Sequence, residues 1–133
     1  MSKSLIYTVN DKTQNVLDGG LVNLGTVVRR FGCNCTLVGN GIVLEGTGYY
    51  TIDVTASVSP TEVGAATLTA YKDGAPIPGM SVTGDVTAAG DSVSLAMSGV
   101  VRLPCCSSAT TITFGLSGVD ADVLNFPVTI RKE

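Results

Sequence analysis

Four cysteines carry the clearest chemical potential in this 133-residue chain: Cys33 and Cys35 flank Asn34, while Cys105 and Cys106 are adjacent. Each pair stands just beyond the end of a stretch of alternating apolar residues. If those ends meet at one rim of a folded domain, four sulfurs converge and three states are open. They are disulfides, within the chain or between subunits; a thiolate site for zinc or iron; or free buried thiols. Neither pair has the two-residue spacer of the common zinc knuckle, which weighs against a metal. Cytoplasmic synthesis would keep the thiols reduced at first, so any disulfide forms after release. Arg29 and Arg30 precede the first pair, and Arg102 precedes the second at the interval separating Arg30 from Cys33. A cationic ring there would lower the thiol pKa; solvated strand ends are the simpler reading.

The chain contains no histidine, which removes the usual general base and any Ser-His-Asp or Cys-His arrangement. Its acids are scattered over turns and polar strand faces. Asp120 and Asp122 would suit calcium as oxygen ligands, or form a solvated turn before the last strand. No cofactor is implied, and the chain is expected not to be an enzyme. A net charge of -3, with Arg29-Arg30 and Arg131-Lys132 as the basic pairs, leaves little footprint for nucleic acid or anionic lipid. The first residues lack an apolar core of signal-peptide length, and no apolar run is long enough to insert in a membrane.

The elements that must position these groups are strands. From Gly46 to Ser59, the residues Tyr50, Ile52, Val54, Ala56 and Val58 share one side, with Tyr49, Thr51, Asp53, Thr55 and Ser57 opposite: the period of a sheet with one buried face. Ser92 to Leu103 alternates in the same way, and Thr110 to Leu116 places Ile112, Phe114 and Leu116 inward. Leu124, Phe126, Val128 and Ile130 form one face of the last strand. Leu5, Tyr7 and Val9 oppose Ser4, Ile6 and Thr8 in a first strand, Asn10 to Asn15 is a loop, and Leu21 to Phe31 is extended with an ambiguous burial face. Asp73-Gly74 reads as a hairpin turn. Pro76 and Pro78 confine the following strand to an edge or a short irregular passage, and Gly84 to Asp91 is a loop. About eight to ten antiparallel strands, with turn signals every 8 to 12 residues or so, define an all-β sandwich or jelly roll. Residues 1–133 form one domain, with 1–40 as a candidate attachment or strand-exchange segment.

Gly48-Tyr49-Tyr50-Thr51-Ile52 resembles the Gly-x-Tyr-x-Ile strand of bacterial and phage jelly rolls of the tumour necrosis factor-like or complement-head family. Tyr71-Lys72-Asp73-Gly74-Ala75-Pro76-Ile77-Pro78-Gly79 resembles their Asn/Asp-Gly-x-x-Ile-Pro-Gly hairpin, and Ile112-Thr113-Phe114 and Val128-Thr129-Ile130 fit the same layout. With Arg29-Arg30-Phe31-Gly32-Cys33-Asn34-Cys35 and Cys105-Cys106, the chain also resembles small structural proteins of phages and prophages of Gram-positive gut bacteria. The resemblance implies a jelly-roll homotrimer with outward valines and leucines at the trimer contact. It further implies a virion protein made in the host cytoplasm, placed on the particle exterior as a capsid decoration or head-fibre module. The alternative it leaves is a receptor- or glycan-binding head of a phage or spore-surface protein, contacting a host-surface glycan through Tyr49, Tyr71 and loop acids.

Overall fold

The computed structural model describes residues 4–88, 91–104 and 109–132. These form twelve strands: β1 (Ser4–Val9), β2 (Gln14–Val16), β3 (Thr26–Phe31), β4 (Cys35–Val38), β5 (Gly41–Leu44), β6 (Gly48–Pro60), β7 (Gly64–Lys72), β8 (Ala75–Val86), β9 (Val93–Leu103), β10 (Thr110–Ser117), β11 (Ala121–Asn125) and β12 (Val128–Lys132). The count exceeds the expected eight to ten because the Asn10–Asn15 loop gives up Gln14 and Asn15 to the short β2, because Cys35 to Val38 after the cysteine turn forms β4, and because the final strand is broken in two. All pairings between strands are antiparallel.

Two sheets face each other. In the seven-stranded sheet β6 is the axis: β9 lies along one side, and β11 and β12 share the other. β1 and then β3 continue outward from β12, while β2 flanks β11. The five-stranded sheet runs β4-β5-β10-β7-β8. Beyond the end of β5, Gly19 to Val22 lies along β10, with a Leu21–Gly115 bridge and the Val22 N–H donating to Phe114 O at 2.8 Å. The segment from β2 to Val22 therefore passes from one sheet to the other and closes that end of the sandwich.

The core follows from the strand periods. Tyr50, Ile52, Val54, Ala56 and Val58 of β6 meet Ile112, Phe114 and Leu116 of β10, all buried. Phe114 and Phe126 pack edge to face with ring centroids 5.5 Å apart, a favoured arrangement of their quadrupoles. Turn chemistry fixes the β7–β8 hairpin: Asp73 and Gly74 both have positive φ, 51° and 86°, as a two-residue type I′ turn requires. β8 is an edge strand, as its prolines demand, but it runs for 12 residues. Gly79, at φ 81°, lets it bulge so that Ile77 and Met80 both turn inward.

The first strand is where the alternation puts it, and its buried face is Ser4, Ile6 and Thr8, while Leu5, Tyr7 and Val9 are half-exposed. Three readings of the sequence need correction. Leu21 to Phe31 is not one strand: Gly25, at φ 79°, separates buried Val22 and Leu24 from β3, whose six residues are all exposed. Gly84, Asp85 and Val86 belong to β8 rather than to a loop. Finally, a register shift between Val123 and Asn125 turns Leu124 outward, so buried Phe126 is not on a continuous face with it.

Candidate functional site

Cys35 opens β4 opposite Leu44, which in turn faces Thr110 on β10. Leu103, the last residue of β9, faces Gly48 at the start of β6. The strand ends that precede and follow 104–109 thus lie at the same end of the sandwich as the turn carrying Cys33 and Asn34. Cys105 and Cys106 lie outside the described residues. Cys33 is exposed and Cys35 buried, and both are free.

The turn between β3 and β4 is organised by Asn34 rather than by sulfur. Asn34 Nδ2 donates to Glu45 O at 2.6 Å, and its Oδ1 accepts from Ser4 Oγ at 2.6 Å. The Glu45 N–H donates back to Asn34 O at 2.9 Å. The buried Tyr50 hydroxyl lies 2.7 Å from Glu45 O and 2.8 Å from Gly46 O. Both sheets are therefore tied at this end, β1 and β6 of one to β4 and β5 of the other. Arg30 reaches across as well, Nε donating to Cys35 O at 2.8 Å and its guanidinium to Thr36 Oγ1 at 3.1 Å. Its charge works to lower the Cys35 pKa, but burial outweighs it and pushes the thiol from 9.0 up to about 11. The arginines do not activate this thiol. Burial likewise raises the Tyr50 phenol, assisted by proximity to Cys35 and opposed by the Asn34 hydrogen bond.

Asp120 and Asp122 are committed to structure. Asp120 Oδ1 accepts the Asp18 N–H at 2.7 Å while Asp18 Oδ1 accepts the Gly118 N–H at 2.9 Å. Asp122 Oδ1 accepts from Asn15 Nδ2 at 2.9 Å. Among the described residues no three His, Cys, Asp or Glu side chains converge as a metal site. A polar hollow of about 440 Å³ beside Asn10 to Gln14 has its amides engaged internally too: Asn10 Nδ2 and Gln14 Nε2 both donate to Asn23 O, and Gln14 Oε1 accepts the Asn23 N–H.

What remains available are the two outer faces. Across the seven-stranded sheet, register aligns Phe31, Leu5, Arg131, Thr51 and Val100 in one outward row from β3 to β9. Arg29, Tyr7, Thr129, Asp53 and Ser98 form the next, and Tyr49 stands opposite Arg102 near the end of β6. Phe31 is 64% exposed, Tyr49 54% and Val100 59%. The outward valine and leucine expected from the sequence are present as Val100 and Leu5, joined by the aromatic side chains of Phe31, Tyr7 and Tyr49. Tyr71 belongs to the other sheet, so within one chain Tyr49 and Tyr71 stand on opposite outer faces.

Charge is divided along the strands. The cations Arg29, Arg30, Lys72, Arg102, Arg131 and Lys132, with the acids Glu45, Asp53 and Asp73, flank the Gly48 half of β6. Asp11, Asp18, Glu62, Asp85, Asp91, Asp120 and Asp122 flank the Pro60 half with Lys12. Among the described residues the halves thus carry six cations against three acids, or +3, and one cation against seven acids, or -6.

Two layers of antiparallel strands form a jelly-roll sandwich, a fold like that of solved tumour necrosis factor-like and complement-head domains. No family model and no curated protein matches the sequence. Among solved structures, murine APRIL superposes with a TM-score of 0.77 at 13% identity, over 99% of this chain and 100% of that one. The globular domain of zebrafish complement 1qA gives 0.71 at 12% identity, over 98% and 96%. The PRD1 vertex protein P5 gives 0.62 at 15% identity, over 96% of this chain and 71% of that one. At these identities the likeness establishes the fold. Among the described residues no helix is long and apolar enough to cross a membrane.

Proposed function

We propose that this chain is a non-enzymatic virion protein, a homotrimeric jelly-roll module attached to the exterior of a phage capsid. The observation that carries the proposal is the outward row on the seven-stranded sheet. Phe31, Tyr49 and Val100 are more than half exposed on one face, with Leu5 and Tyr7 half-exposed between the strands that bear them. Large apolar side chains left exposed on one face, around the Arg131–Asp53 ion pair, mark an interaction surface, and closed symmetry allows a small unit to bury them with copies of itself. Fold likeness to the PRD1 vertex protein P5 supports the virion setting. The division of charge along the strands would orient the module's approach to a charged particle, and docking would slow as salt rises. Binding to the assembled particle would stabilise the folded module by mass action. Mixing purified protein with capsids lacking it tests the reading. Co-sedimentation of a species that native mass spectrometry shows to be a trimer is the expected result; a monomer, or protein left in the supernatant, overturns it.

A further inference from the structure

We propose that the outer face of the five-stranded sheet holds a binding site for one neutral sugar ring, in the hollow between Leu21 and Tyr71. The hollow measures about 230 Å³ and is lined by Leu21, Tyr71, Thr113 and Leu116, with Gly19, Gly74 and Gly115 supplying bare backbone. That is below the roughly 300–1,000 Å³ of sites for drug-sized ligands, so it accommodates a single ring.

Its shape follows from the strand register. Because Ile112, Phe114 and Leu116 face the core, Thr113 and Gly115 of β10 face outward, with Tyr71 opposite Thr113. Gly115 lets the Tyr71 ring lie down against the sheet: a Cβ there would come within 2.8 Å of Tyr71 Cε2, so a larger residue would push the ring out of the hollow's wall. The Leu21–Gly115 bridge raises the opposite wall, leaving Leu21 49% exposed although it is a large apolar side chain. The Asp73-Gly74 turn closes the rim, held by Asp73 Oδ1 accepting the Thr111 N–H at 2.9 Å.

The lining selects the ligand. No charged side chain borders the hollow, so it offers nothing to a phosphate, carboxylate or ammonium group. It offers apolar surface from Tyr71 and Leu21, and hydroxyls from Thr113 and Tyr71. A pyranose has matching halves: a face of C–H groups that packs on an aromatic ring and an edge of hydroxyls that hydrogen-bond. An apolar peptide side chain would use the walls but leave the hydroxyls unpaired, and is the disfavoured occupant. The site lies on the sheet opposite Phe31, Tyr49 and Val100, so it stays open when copies cover that face. It does not rest on the virion reading.

Saturation-transfer NMR on the intact protein tests the site with glucose, galactose, N-acetylglucosamine and N-acetylgalactosamine, each at about 10 mM, and with N-acetylleucinamide as the peptide probe. At least one sugar is expected to receive saturation with a millimolar dissociation constant. Tyr71→Ala and Leu21→Ala should each weaken it about tenfold or more, while Val63→Ala, at an exposed position in the turn after β6, leaves it unchanged. Silence from all four sugars overturns the proposal, as does N-acetylleucinamide binding in their place. Saturation transfer that survives both substitutions at the hollow overturns it equally.

Discussion

Asn34 and Glu45 hold each other from both sides: the Asn34 side chain donates to the Glu45 carbonyl at 2.6 Å, and the Glu45 N–H donates to the Asn34 carbonyl at 2.9 Å. Only backbone atoms of Glu45 take part, whereas the Asn34 amide is essential. Asn34→Ala also strips Ser4 Oγ of its acceptor inside the fold. It should cost about 2–3 kcal/mol, whereas Glu45→Gln, at an exposed carboxylate, should stay within about 0.5 kcal/mol. Urea unfolding followed by circular dichroism separates the two; equal effects would show that the Glu45 side chain matters.

Much of this architecture is legible in the sequence, and the exceptions have physical causes. β6, β9 and β10 bury one face each, so their period of two names the core directly. β1 is ambiguous because it carries apolar side chains on both faces. Leu5 and Tyr7 join the exposed row with Phe31, while Ser4 and Thr8 lie inside. Periodicity gives the two faces but not which one is buried. Asn34 stands between two cysteines whose chemistry draws attention first, and its hydrogen-bond partners are 30 and 11 residues away. No local pattern encodes them. The hollow beside Tyr71 depends on Leu21 meeting Gly115, a contact made by a segment that crosses between sheets.

Thr8 is fully buried and its hydroxyl has no hydrogen-bond partner among the described residues. The group was desolvated on folding without compensation. Thr8→Val keeps the branched shape and removes the cost, so it should stabilise the protein by about 1 kcal/mol, a rise of roughly 4 °C in Tm. A melting curve unchanged or lowered would mean that the hydroxyl is satisfied by solvent.

Cys33 and Cys35 should differ sharply in reactivity. Cys33 is exposed, whereas Cys35 is buried with its pKa pushed up to about 11, so near pH 8 only about one Cys35 in a thousand carries the reactive thiolate. Iodoacetamide with peptide-resolved mass spectrometry should label Cys33 within minutes and Cys35 only after unfolding. Stability carries the same signature. A thiol whose folded pKa exceeds its unfolded value binds more protons in the native state between the two. Its contribution is therefore complete below about pH 9 and lost as pH rises to about 11. The raised Tyr50 phenol adds loss in the same direction at the alkaline end. Cys35→Ser or Cys35→Ala should flatten the part of the slope that belongs to sulfur.

The proposed trimer makes a prediction that compares two equally exposed valines. Val100 lies in the outward row of the seven-stranded sheet and Val38 on the edge strand β4 of the other; each is 59% exposed. Introducing a carboxylate at an exposed position leaves the isolated fold within about 0.5 kcal/mol. Buried unpaired at an interface, the same carboxylate costs several kcal/mol, on the order of 3 or more. Val100→Asp should therefore shift native mass spectra to monomer while Val38→Asp leaves them unchanged. Assembly indifferent to Val100→Asp would place the contact elsewhere.

Two glycines separate backbone strain from collision. Gly74 (φ 86°) and Gly118 (φ 101°) both occupy left-handed conformations, but a Cβ on Gly74 meets nothing within 4 Å, whereas one on Gly118 would run into the Ala65 carbonyl oxygen. Gly74→Ala should cost only the conformational penalty, about 1–2 kcal/mol. Gly118→Ala adds displacement of β7 backbone and disturbs the Gly118 N–H that donates to Asp18, so its cost should exceed about 3 kcal/mol. The difference matters because Gly118 lies where Asp18 and Asp120 lock the segment that crosses between the sheets. Loosening that segment should also disturb Leu21 and the hollow it walls. Hydrogen exchange on Gly118→Ala should accordingly speed up at Gly19 to Val22 while β6 and β9 remain protected; acceleration spread evenly over both sheets would mean that the segment unfolds only with the whole domain.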